Sequence, residues 1–122
     1  MSQAPTEILL LESNPVNLAL MRDMLEQSGF RVAAADTPAA IEEALRSVPH
    51  CRTALLDSSG FGPDFWDACK LLHRFHIPFV VVVPQVADPK RHAELGHGAS
   101  AVLSKPLTRQ QLLSVLRALT EE

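Results

Sequence analysis

The chain has only two cysteines, Cys51 and Cys69, with neither C-x-x-C spacing nor a dense pairing pattern. That excludes a disulfide-stapled scaffold and a dithiol redox motif. The opening Met1-Ser2-Gln3-Ala4-Pro5 is no charged-then-apolar leader, so a reducing, cytoplasmic setting is expected. Long apolar runs are missing as well. The longest, Phe79 to Val83, falls far short of the roughly 20 residues that cross a bilayer, so no membrane association is expected. Positive charge is not in excess: the net charge is −3, with Lys and Arg dispersed along the chain. Direct nucleic-acid binding is therefore not expected. No Ser-His-Asp set, G-x-S-x-G turn or P-loop occurs, and the chain is not expected to be an enzyme.

What is present suits one compact domain. The chain has 122 residues, 47% hydrophobic and 20% charged, which allows one core and leaves little room for a second. Residues 7–122 are expected to form that domain, preceded by a flexible tail of residues 1–6. Ile8-Leu9-Leu10-Leu11, Ala54-Leu55-Leu56 and Phe79 to Val83 are apolar throughout, as strands covered on both faces are. Arg31 to Ala35 and Ala99 to Leu103 are weaker and predict outer strands. Helical periodicity runs over Val16 to Gln27, with Leu18, Met21, Met24 and Leu25 inward, and over Pro38 to Ser47, with Ile41, Ala44 and Leu45 inward. It continues over Phe65 to Phe75, Asp88 to Leu95 and Thr108 to Leu119.

Punctuation agrees with this division. Asn14-Pro15, Thr37-Pro38 and Asp88-Pro89 each put a capping residue before a proline at the first helical position. Gly29 and Gly96 stand where the first and fourth predicted helices stop. Five strands alternating with five helices through short links predict an α/β fold with a mostly parallel sheet and helices on both faces. In such sheets ligands and chemistry gather at the carboxyl ends of the strands. Asp57 closes the run Thr53-Ala54-Leu55-Leu56-Asp57 at that edge, just before Ser58-Ser59-Gly60-Phe61-Gly62-Pro63.

The order of motifs around Asp57 resembles the response-regulator receiver domains. Ile8-Leu9-Leu10-Leu11-Glu12-Ser13-Asn14-Pro15-Val16-Asn17 is similar to their opening. Leu55-Leu56-Asp57 follows with Gly62 five residues on, then Ile77-Pro78 before an apolar strand. Glu94-Leu95-Gly96 with Ala99, and Leu103-Ser104-Lys105-Pro106-Leu107, complete the set. The likeness covers about Ile8 to Leu119, and the order and spacing are more specific than any single motif. It implies a flavodoxin-like (βα)5 fold with strand order 2-1-3-4-5 and Asp57 as phosphoacceptor. It further implies Lys105 as the lysine that contacts the phosphoryl group, and a cis bond from Lys105 to Pro106 that aims the lysine inward. The implied chemistry is attack of an aspartate on a phosphoryl group held by a hard divalent cation. The implied partners are a histidine kinase, a phosphotransfer protein or a downstream effector. Homodimerisation through the fourth helix, fifth strand and fifth helix is a further implication, with Leu107, Gln110, Gln111, Ser114 and Arg117 as candidate contacts.

Several family positions are altered. Where two or three acids usually stand, the chain has Glu12, Ser13 and Asn14, so the position that usually touches Mg²⁺ directly is the neutral Ser13. The pocket set Asp57, Glu12 and Lys105 carries a nominal −1. A unit-charge pair at 4 Å is worth about 4 kcal/mol at an effective dielectric near 20, so the loss of one ligand charge predicts Mg²⁺ held weakly if at all. Its ligands would be Asp57, Glu12 and the Ser59 carbonyl. Val83 stands in place of the Thr or Ser whose hydroxyl follows the phosphoryl group, Pro84 in place of the small residue after it, and Val102 in place of the aromatic switch. Lys105 is expected to pair with Asp57 or Glu12. Together these predict a receiver with an incomplete metal and switch set, acting as a phosphorylation-independent or weakly phosphorylated interaction module. The alternatives are a conventional kinase-switched receiver and, more remotely, a flavodoxin-like small-molecule-binding domain.

Other candidates carry less. Cys69, His73 and His76 fall at i, i+4 and i+7 of a helix and could share a face for Zn²⁺, or be one half-buried thiol and two surface imidazoles. His50, His92 and His97 have no partner at useful spacing. Phe61, Phe65 and Trp66 could cover the pocket or belong to core and rim. Gly96-His97-Gly98 follows a helix instead of opening one, so a cap is the better reading than a phosphate loop.

Overall fold

The computed structural model describes residues 7–12, 14–47, 51–57, 64–83 and 98–120. The strands are β1 (Glu7–Leu11), β2 (Arg31–Ala35), β3 (Cys51–Asp57), β4 (Phe79–Val83) and β5 (Ala101–Ser104). The described helices are α1 (Pro15–Gln27), α2 (Pro38–Ser47), α3 (Phe65–Arg74) and α4 (Arg109–Thr120). The strands form one parallel sheet in the order β2-β1-β3-β4-β5, the flavodoxin-like arrangement that the sequence implies. The predicted helix Asp88 to Leu95, with the expected cap at Asp88 and stop at Gly96, lies outside the described residues, as do the expected tail and Pro84.

The unbroken apolar runs follow from burial on both faces. Leu9, Leu11, Ala54, Leu56, Phe79, Val81 and Val83 pack with Ile41 and Leu45 of α2 and with Phe65, Ala68, Cys69 and Leu72 of α3. Their neighbours Ile8, Leu10, Leu55, Val80 and Val82 pack on the other side with Leu25 of α1 and Leu112, Leu113 and Leu116 of α4. Successive strand side chains point to opposite faces, so a strand covered twice cannot alternate apolar with polar.

Two of the predicted caps are seen directly. Asn14 Oδ1 accepts from the Val16 and Asn17 amides at 3.0 and 3.1 Å, and Thr37 Oγ1 accepts from the Ala40 amide at 3.1 Å. These bonds satisfy amides that a helix start leaves open. Gly29, with φ of 97°, supplies the left-handed residue that ends α1. Its amide donates to Glu26 O and the Phe30 amide to Leu25 O, while Phe30 and Leu25 share the same core cluster. That is the paired closure with its apolar contact that reverses a chain tightly.

One strand is shifted from its predicted limits. β5 runs from Ala101 to Ser104 instead of Ala99 to Leu103. Gly98 is in a left-handed turn at φ of 76°, and Val80 opposite Ala101 is the first register pair of the β4–β5 ladder. The chain is thus still leaving a turn at Ala99.

Candidate functional site

Three strand ends converge. Asp57 is the last residue of β3, flanked by β1 and β4, and its side chain is 4% exposed. Glu12 follows β1 immediately and is 1% exposed. Lys105 follows β5, and its amide donates to Val83 O at 2.9 Å, which ties the lysine to the end of β4. Lys105 Nζ lies 2.9 Å from Asp57 Oδ2, so of the two acids offered to the lysine the structure selects Asp57. The Lys105–Pro106 bond is cis, as the family likeness implies.

Glu12 and Asp57 make a carboxyl pair. Glu12 Oε1 accepts from the Asn14 amide at 3.0 Å, while Oε2 is buried with no donor among the described residues. Burial pushes the Glu12 carboxyl up to about 7, helped by its hydrogen bond with Asp57 and opposed by the Asn14 amide; the Asp57 charge adds to the rise and the Lys105 charge subtracts from it. The pair is satisfied when Glu12 holds the proton and donates to Asp57. An orphaned carboxylate oxygen beside a second carboxylate also suits a hard cation. Asp57 and Glu12 would be its side-chain ligands here, though Asp57 is already engaged by Lys105. Ser13 and Ser59, the remaining candidates, lie outside the described residues.

The two altered switch positions are apolar in their surroundings as well as in kind. Val83 is fully buried in the cluster on the α2 and α3 face, and Val102 is partly buried against that cluster.

A cavity of about 380 Å³ opens beside the pair, between α1 and the start of α4, with Asp57, Lys105 and Pro106 in its lining. Sequence reasoning missed it. Its trace in the sequence is that Leu20, Met21 and Met24 share a helix face with Asn17, a pattern that reads as ordinary core contact. Trp66 is 42% exposed and set edge-to-face on the buried Phe65 at 5.5 Å. Phe65 is thus core and Trp66 is surface, while Phe61 lies outside the described residues.

The possible zinc set is not assembled. Among the described residues no group of three or more His, Cys, Asp and Glu is placed to hold a metal. Cys69 is sealed in the core, where burial pushes its thiol up to about 11. His73 lies edge-on to Phe79 with ring centres 5.8 Å apart, and a side chain at Gly98 would run into its ring. His76 has a structural role: at φ of 58° it is the left-handed residue closing α3, with its amide on His73 O and the Ile77 amide on Leu72 O. Glycine takes that conformation without the Cβ penalty. His76→Gly is therefore expected to stabilise the domain by about 0.5–1 kcal/mol in urea denaturation. His50, His92 and His97 lie outside the described residues.

No family model matches the chain. It is 26% identical over 122 residues to the sensor histidine kinase GacS of Pseudomonas protegens, a match covering 94% of this chain but only 13% of that protein. Among solved structures it is similar to the receiver domain of a sensor histidine kinase from Pseudomonas aeruginosa, whose active-site cleft coordinates a magnesium ion. That match has 27% identity and a TM-score of 0.76 and covers 96% of this chain and 98% of that one. It is likewise similar to a response regulator receiver protein from Sinorhizobium medicae, with 25% identity and a TM-score of 0.79 over 98% and 97% of the two chains. The likeness runs the whole length of the sheet, in sequence as well as in shape, and the proteins this chain is similar to are response-regulator receiver domains of two-component signalling.

Proposed function

We propose that this receiver works as a protein-interaction module of a phosphorelay, in which Asp57 is a nominal phosphoacceptor only weakly coupled to the surface. The observation that carries this reading is the placement of Val83 and Val102 in apolar packing. Receiver-type switching needs a two-state element that phosphoryl capture biases. A valine offers no donor to a phosphoryl oxygen. Mg²⁺ binding is weak in this reading, held by Asp57, Glu12 and the Ser59 carbonyl. Its partners are a histidine kinase, a phosphotransfer protein or a downstream effector. A second copy would pair through β5, α4 and the segment predicted as the fourth helix. Residues 7–122 act as one non-catalytic cytoplasmic domain. Among the described residues no helix is long and apolar enough to cross a membrane.

The second reading is a conventional receiver that a kinase phosphorylates and switches, and the Asp57–Lys105 contact favours it. Incubation with acetyl phosphate and Mg²⁺, followed by intact mass and amide NMR, separates the two. Low incorporation that disappears in Asp57→Ala, with shifts confined to the strand ends, is the expected result. Stoichiometric modification with shifts reaching Gln111 and Ser114 of α4 would establish the conventional switch.

A further inference from the structure

The cavity beside Asp57 has features that phosphoryl chemistry does not require. One wall is α1, which presents Leu20, Met21 and Met24; the other is the entry to α4, which presents Leu107 and Leu112. Its volume, about 380 Å³, is within the range of roughly 300–1,000 Å³ typical of small-molecule sites. Two methionine thioethers give a wall that adapts to different apolar shapes. Leu20 at the mouth is 64% exposed, one of the most exposed large apolar side chains of the described residues.

The charges complete the picture. Among the described residues, the charged ones lining the cavity are Asp57, Lys105 and Arg109, a sum of +1 in which Asp57 already faces Lys105 at 2.9 Å. Arg109 Nη2 donates to Ser28 Oγ at 3.0 Å, so its guanidinium reaches from the first turn of α4 to the end of α1. A guanidinium has five N–H donors in a planar fork that fits a carboxylate with two bonds.

We infer that the cavity between α1 and α4 is a binding site for a small amphipathic monoanion, its acid group on Arg109 and its apolar body against Met21, Met24 and Leu112. The site does not depend on whether Asp57 accepts a phosphoryl group. A bound acid would lie between α1 and α4, in a cavity that also reaches Asp57 and Lys105, and bring small-molecule control to this domain.

Decanoate, kept below its micelle range, is the probe. The readout is the methionine methyl NMR of the full chain without Mg²⁺ or phosphodonor. Met1, Met21 and Met24 are the three methionines, so Met1 serves as an internal reference. Saturable shifts at Met21 and Met24 but not Met1 are expected. Affinity should weaken roughly three- to tenfold in Arg109→Gln, the effect of one partly exposed ion pair. Decyltrimethylammonium, with a comparable tail and opposite charge, should bind more weakly than decanoate. Met24→Trp should fill the space and abolish the shifts, and Arg109→Gln at the rim keeps the test valid if that variant does not fold. The inference is overturned if decanoate causes no saturable shift. It is equally overturned if the cation binds as well as the acid, or if Arg109→Gln leaves affinity unchanged. Shifts at Met21 and Met24 that appear on concentrating the protein alone would assign the cavity to a second copy instead.

Discussion

Replacing Lys105 with methionine is expected to destabilise the domain by about 2 kcal/mol near neutral pH, measured by urea denaturation. Removing one partner of a buried ion pair costs roughly 3–5 kcal/mol, because the remaining charge is left uncompensated. Asp57 is 4% exposed, but the Lys105 side chain is 41% exposed. Water therefore already screens the lysine, and the lower figure applies. Asp57→Asn in the same chain should restore most of the loss, since no buried charge is then left alone. A double-mutant cycle isolates that coupling. If Lys105→Met costs as much in the Asp57→Asn background as in the native chain, the ion pair is not the cause.

The second large effect is a fall in stability as pH rises. Glu12 has its folded-state value raised from 4.5 to about 7, chiefly by burial. Below the unfolded value the carboxyl is protonated in both states and the full contribution is present. Between that value and the folded one only the unfolded chain releases the proton, so stability drops with rising pH and levels off above about pH 7. The shift sets a ceiling of roughly 3 kcal/mol, and about 2 kcal/mol is expected where neighbouring charges titrate together. Glu12→Gln keeps a donor toward Asp57 and an acceptor for the Asn14 amide without the ionisation. It should match the native chain near about pH 4 and exceed it by that margin near about pH 8. A constant difference between the two proteins across this range would remove Glu12 as the source. The two effects are linked: the Lys105 charge lowers the Glu12 value, so Lys105→Met should move the Glu12 transition to higher pH.

Much of the fold was legible because local rules and tertiary demand agree. Phe79 to Val83 has no polar alternation, and it lies between two strands with both faces covered. Asn14, Thr37 and Gly29 are identifiable as caps from residue type alone, and each has the hydrogen bonds or backbone angle that its chemistry requires. His76 is a surface residue, as one of the two readings had it, but its role at the helix end was not legible for a related reason. A left-handed helix end normally takes glycine, and nothing in the spacing of Cys69, His73 and His76 shows that the last of them fills that position. Cys69 was ambiguous because period alone does not tell a helix face turned to the sheet from one turned to water.

At the site, the sequence could name Asp57, Glu12 and Lys105 but left two partners open for the lysine. Lys105 and Asp57 are separated by 48 positions. Which acid lies at 2.9 Å depends on strand order and on the pinning of the Lys105 amide to Val83 O. The raised value of Glu12 is likewise a property of enclosure. An isolated glutamate in a loop is an ordinary acid, and one held against a second carboxylate out of water keeps its proton. The cavity between α1 and α4 exists only because two helices distant in sequence pack on the same face without filling the space between them.

By itself the sequence determined the described strands and helices, the caps at Asn14, Thr37 and Gly29, and the absence of a hydroxyl at Val83 and an aromatic at Val102. These are properties of residue type and of short-range periodicity, each readable within one turn or one strand. The tertiary structure alone decided that Lys105 faces Asp57, that Glu12 is buried beside Asp57, and that Met21, Met24 and Arg109 line one cavity. Those depend on distances and dielectric surroundings created when remote segments meet, and no local pattern carries them.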